Sequence, residues 1–152
     1  MQSPELVNEL SRLLAMEVDS AQACAKALAL LPPGPIRDEV LLVAREHEGH
    51  VAALREHIEY RGYLVPERSS AVRGLRLGGT PQKGRPGVEE VLRALRSNAQ
   101  LGSALYGKLL AKGVPEDATA LLERIRGEEQ RHLRWAERAL ATRAWEASGA
   151  IP

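Results

Sequence analysis

Four long stretches of this chain repeat apolar residues at three- and four-residue spacing. The first carries Leu6, Leu10, Leu13, Glu17, Ala21, Cys24, Leu28 and Leu31. The second carries Ile36, Val40, Val43, His47, His50 and Leu54, with His57 and Ile58 beyond. The third reads Val88, Leu92, Leu95, Ala99, Gly102, Tyr106, Leu109, and the fourth Ala118, Leu122, Ile125, Glu129, His132, Ala136, Leu140. This spacing puts each set on one face of an α-helix, and no segment alternates with the period of a strand. Proline supports the division: none interrupts 5–31, 36–65, 87–114 or 116–151. Pro4, Pro35, Pro86 and Pro115 stand where a helix can start, with Ser3 as the expected first N-cap, and Pro32 and Pro33 form a stop. Helices are therefore expected at about 4–31, 35–61, 87–112 and 115–147. The predicted class is all-α, a four-helix bundle.

The connections set the topology. Leu-Pro-Pro-Gly-Pro joins the first two helices and Lys112-Gly113-Val114 the last two. Such short links demand antiparallel neighbours. The crossover, about 62–86, can stretch about 80 Å when extended. A 27-residue helix is only about 40 Å long. The segment can run the full length of the bundle, so two antiparallel hairpins joined by one long crossover are expected, as a single domain over 1–152. The hairpins also align without gaps at an offset of 82: Leu10 on Leu92, Pro33 on Pro115, Val43 on Ile125, His50 on His132. That register suggests an internal duplication.

Composition narrows the function classes. Leu and Ala supply roughly 30% of the chain, in keeping with helix. Lys and Arg number 21 against 20 Asp and Glu, so no bulk charge argues for nucleic acid, and no such partner is expected. The apolar stretches are too interrupted for a membrane span and the N-terminus is no signal peptide, so a cytoplasmic protein is expected. Cys24, the only cysteine, excludes an internal disulfide or a cysteine-rich zinc module. The candidate chemistry lies instead in the polar residues that interrupt the seams at matching heights. Glu17 is fourteen residues before Leu31, His50 fifteen after Pro35, Ala99 fourteen before Gly113 and Glu129 fourteen after Pro115. At about 1.5 Å per residue all sit near mid-bundle. Glu17, His47, His50, Glu129 and His132 would share one central volume, where a carboxylate or imidazole is costly unless paired or metal-bound.

Glu129-Gln130-Arg131-His132 is a Glu-x-x-His pair, and the Leu101–Tyr106 and Glu128–His132 segments have the texture of small bacterial ferritin-like proteins of unknown function. Over nearly its whole length the chain resembles the ferritin-like superfamily, which includes rubrerythrins and ferritins. In di-iron members each hairpin gives a Glu from its first helix and a Glu-x-x-His from its second. Carried over, the resemblance implies Glu17, His47 and His50 from the first half, and Ala99, Glu129 and His132 from the second. Two departures follow. Ala99 stands where the third helix would give a carboxylate, and His47 replaces the carboxylate of the second helix. Asn98 and Gln100 are each turned about 100° from Ala99. Four carboxylates and two histidines become two and three.

Three readings stay open at this point: one transition-metal ion, iron or zinc, on Glu17, His47, His50, Glu129 and His132; a metal-free hydrogen-bond network left from a relic site on a scaffold; and a di-iron oxidase, which the lost carboxylates disfavour. The resemblance implies a protein of the stress or metal-handling kind. Tyr106, two turns from Ala99, is a candidate neighbour of the ligands. His57 is about 10 Å beyond His50 and too far for the same ion. Cys24 reads as a small packed hydrophobe. Glu46, Glu48 and Glu128 fall off the seams and read as solvated. Trp145 fits end packing or a homodimer contact. The crossover is basic through Arg68, Arg73, Arg76, Lys83 and Arg85, and Gly79–Gly84 fails the phosphate-loop pattern.

Overall fold

A computed structural model of the chain describes residues 1–65 and 87–147. Four long helices account for most of them: α1 (Ser3–Leu30), α2 (Pro35–Tyr60), α3 (Val88–Ala111) and α4 (Glu116–Ala141), followed by a single turn, α5 (Ala144–Ala147). The basic crossover residues and Gly79–Gly84 lie outside the described residues.

The helix ends follow local chemistry. Pro4 sits in the first turn of α1, but the N-cap is Gln2, one residue earlier than Ser3. Proline at the second helical position lacks only an N–H that has no helical acceptor, so the helix starts one residue sooner, with Leu6 N–H donating to the Gln2 carbonyl at 3.0 Å. Leu31, facing Pro32, is extended, as the residue before proline prefers. Gly62 and Gly113, just past α2 and α3, both have φ 83°, the left-handed end conformation that glycine adopts without a Cβ penalty.

The expected fourth helix to 147 is corrected. α4 ends at Ala141, and Arg143 takes φ 49° before α5. The break turns Trp145 back onto the bundle end, where it is fully buried and the Arg143 guanidinium lies 5.2 Å from its ring centre. Burying an aromatic of this size more than offsets one strained residue. Trp145 is thus end packing within the chain.

Two apolar layers fix the directions of the helices. At one end pack Leu6, Leu10 and Leu13 of α1, Leu54 and Ile58 of α2, Tyr106 and Leu109 of α3, and Leu122 and Ile125 of α4. At the other end pack Cys24, Ala27 and Leu31, Val40 and Val43, Val91 and Leu92, Ala139 and Trp145. So α1 runs antiparallel to α2, and α3 antiparallel to α4. α2 finishes at the first end and α3 begins at the second, so the segment between them joins opposite ends, as expected. α1 flanks α3, and α2 flanks α4. At the first end, Arg61 just past α2 donates two 2.8 Å hydrogen bonds to Asp117 in the first turn of α4. Between the apolar layers lies a buried polar layer: Glu17, Ser20, His47, His50, Asn98, Glu129 and His132. Among the described residues no helix is long and apolar enough to cross a membrane.

Candidate metal centre

Each helix of the bundle faces this layer, and the seam pattern determines which side chains enter it. Glu17 is the most deeply enclosed, with no exposed surface. The Tyr106 hydroxyl donates to its Oε1 at 2.8 Å, and the Nδ1 atoms of His47 and His50 lie 2.7 and 3.2 Å from its Oε2. An ionised carboxylate only accepts, so both Nδ1 atoms carry hydrogen in this arrangement. Burial works to raise the Glu17 carboxyl. The hydrogen bonds and charge of His47 and His50 outweigh it and hold the group well below the usual carboxylate range.

Glu129 has the opposite electrostatics. Burial, then the negative charge of Glu17, pushes its carboxyl well above the usual range. Its Oε1 lies 3.6 Å from His47 Nδ1 and 3.9 Å from His50 Nδ1, and has no hydrogen-bond partner. The facing residue on α3 is glycine, which lets the carboxylate lie where it does: a Cβ on Gly102 would stand 2.9 Å from Glu129 Oε2. Glu17, His47, His50 and Glu129 each offer one donor atom, and these four atoms lie within 4.8 Å of one another. Two carboxylates and two imidazoles form a donor set suited to a divalent first-row ion.

His132, grouped with these from the sequence, is placed in the same layer but outside that close set. Its Nδ1 is 3.7 Å from Glu129 Oε2, its ring centre is 5.1 Å from that of His47, and neither ring nitrogen has a hydrogen-bond partner. Burial, then the charge of His47, Arg131 and His50, lowers it to about 3, so it is neutral at physiological pH. Tyr106 stands beside these residues through its hydrogen bond to Glu17. His57 is half-buried beside Tyr60 near the bundle end, and its Nε2 lacks a hydrogen-bond partner.

Three acidic or polar neighbours differ from the sequence reading. Glu46 and Glu128 are partly buried rather than solvated, and only Glu48 is exposed. Glu128 Oε2 approaches His50 Nε2 at 3.4 Å, and Glu46 Oε1 approaches His132 Nε2 at 3.5 Å, with Arg131 paired to Glu46. The two contacts are reciprocal: Glu46 and His50 each precede Glu128 and His132 by the same 82 residues. The offset was the signal that could have found them. Asn98 is only 6% exposed although it is turned away from Ala99. It follows Val91 and Leu95 at helical spacing, so the buried stripe of α3 is two residues wide.

The chain matches no family model and no curated protein. The crystal structure of a ferritin-like, diiron-carboxylate protein from Bacillus anthracis str. Ames superposes with a TM-score of 0.74 at 20% identity, covering 92% of this chain and 99% of that one. The fold is ferritin-like. Within this ferritin-like bundle the buried Glu and His cluster is a candidate metal-binding site at mid-height. Ala99, buried on α3, faces the same layer and brings no donor to it.

Proposed function

We propose that the chain is a ferritin-like metal-binding protein of the metal-handling or stress kind, with a degenerate centre for one transition-metal ion. Glu17, His47, His50 and Glu129 would hold the ion, with His132 available as a further nitrogen donor. The observation that carries this reading is Glu129. Its carboxylate is almost fully buried, one oxygen has no hydrogen-bond partner, and a second carboxylate lies nearby. An isolated buried carboxylate is expensive, whereas two carboxylates beside imidazoles neutralise a dication. The diiron-carboxylate description of the Bacillus anthracis protein favours iron, and the mixed nitrogen and oxygen donors also suit zinc.

Coordination through Nδ1 would require each histidine to carry its proton on Nε2. Glu128 stands beside His50 Nε2 and Glu46 beside His132 Nε2, where a carboxylate would accept that hydrogen and fix the ring. Such an ion would act as a Lewis acid or redox centre. The protein would hold it, orient the rings and exclude water. Two ions would need bridging carboxylates; His47 stands where the ferritin-like pattern has one of them, and Ala99 where it has a terminal carboxylate ligand. We infer further that the two hairpins arose by internal duplication, which the reciprocal Glu46–His132 and Glu128–His50 contacts support.

A metal-free network is the second reading, favoured by Glu17, whose two oxygens already accept three hydrogen bonds. Metal titration of the untagged chain and of Glu129→Ala separates the two. The metal reading expects one equivalent of Fe(II) or Zn(II) on the parent chain. It also expects at least a tenfold weaker site in the variant, whose metal-free form is no less stable. Equal and negligible uptake by both folded proteins would overturn it.

A further inference from the structure

Beside the donor set, on the α3 wall, is a small cavity lined by Ser20, His47, Asn98, Ala99, His132 and Trp135, among others. About 20 Å³ of it is open to the centre of a water molecule. Roughly 10–15 Å³ on that measure holds one water, so this space takes one or two waters or a ligand of similar size. Ala99, which stands where the ferritin-like pattern has a carboxylate, lines the cavity.

Its lining is not that of an inert void. Asn98 is more than nine-tenths buried, and neither its amide nitrogen nor its amide oxygen has a hydrogen-bond partner. Both nitrogens of His132 are likewise without one. Buried polar groups are rarely left unpaired, and a cluster of them around a space of this size points to a missing partner. The Asn98 carboxamide offers N–H donors. His47 belongs to both the cavity lining and the donor set, so an ion held there would border the cavity and take an oxygen or nitrogen donor from it.

We propose that this pocket binds a small monoanion of two or three heavy atoms with oxygen or nitrogen donors, held between the Asn98 amide and the metal centre. The anion takes the place left by the missing α3 carboxylate. The proposal rests on the metal reading above. It makes the gap at Ala99 a ligand site, so the centre is completed from solution.

The test is an optical titration of the Co(II)-loaded full chain with sodium azide and with sodium formate, following the visible d–d bands. Bound Co(II) is counted by metal analysis in every sample. The parent protein is expected to show a saturable spectral change. Ala99→Val, which places two methyl groups in the cavity, is expected to keep its Co(II) and lose the response. Asn98→Leu, similar in volume but without the amide, is expected to weaken anion binding at least tenfold, in line with loss of a charge-assisted hydrogen bond. It decides the matter should Ala99→Val fail to fold. A Co(II)-loaded parent that ignores both anions, as a pocket holding only water would, overturns the proposal and leaves the metal reading standing. So does a response that is the same in the parent and in the folded variants. Failure of Co(II) to bind at all overturns the metal reading, and this proposal with it.

Discussion

Gly102→Ala separates metal binding from folding more sharply than removal of a ligand. Glycine in a helix interior costs about 0.5–1 kcal/mol relative to alanine, so the protein bears that cost at mid-bundle for a reason. A Cβ at position 102 would lie 2.9 Å from Glu129 Oε2 and 3.0 Å from its Cδ, while ordinary contact begins at 3.4 Å. The carboxylate must retreat by about 0.5 Å, the limit within which a binding constellation has to be held. With one of four donors displaced, the Fe(II) or Zn(II) affinity should fall at least tenfold, or about 1.4 kcal/mol. The metal-free protein should keep or slightly raise its Tm, because the helix gains propensity and only the flexible end of the Glu129 side chain has to shift. Competitive metal titration and thermal unfolding of the same samples measure both. Full metal affinity in a folded Gly102→Ala chain would refute the reasoning. So would a lower Tm with affinity intact, because Glu129 would then be a packing residue and not a ligand.

Three further outcomes are expected. Ala99→Glu should fill the α3 cavity with a carboxylate and raise Fe(II) affinity or create oxygen-dependent oxidation; a folded variant that gains neither contradicts the position assigned to Ala99. Metal binding should release protons and strengthen as pH rises. Burial and the charge of Glu17 raise the hold of the Glu129 carboxyl on a proton, and the ion must compete with that proton. Calorimetry in buffers of different ionisation enthalpy reads this, and a proton count of zero at neutral pH contradicts it. The Cys24 thiol is buried and pushed up to about 12 by burial and then by Glu129 and Glu17, so iodoacetamide at pH 8 should label it only after unfolding. Labelling of the native protein at the unfolded rate would contradict its placement in the core.

Much of this architecture was legible in the apolar seams, because burial selects one face of each helix and proline marks the ends. Glu17, His47, His50 and Glu129 were found as polar residues standing at core positions of equal height. Some features escaped. The end of α4 depends on Trp145 folding back onto the bundle end, a tertiary contact with no local signal beyond the bulk of the indole. Glu46 and Glu128 each sit one residue before a seam, yet their long side chains reach back to an imidazole on the facing helix. Asn98 lies a turn beyond Leu95 on a stripe wider than one residue, and only the packing of four helices shows which edge of that stripe is covered. Height and face can be read from periodicity, whereas reach across a helix–helix interface cannot.

The most direct measurement is anomalous diffraction from crystals of the untagged protein grown with Fe(II) or Zn(II), collected at the metal's absorption edge. One peak should lie among Glu17, His47, His50 and Glu129, within ligand distance of their donor atoms. No peak in that layer, or ions only on the protein surface, would contradict the metal centre.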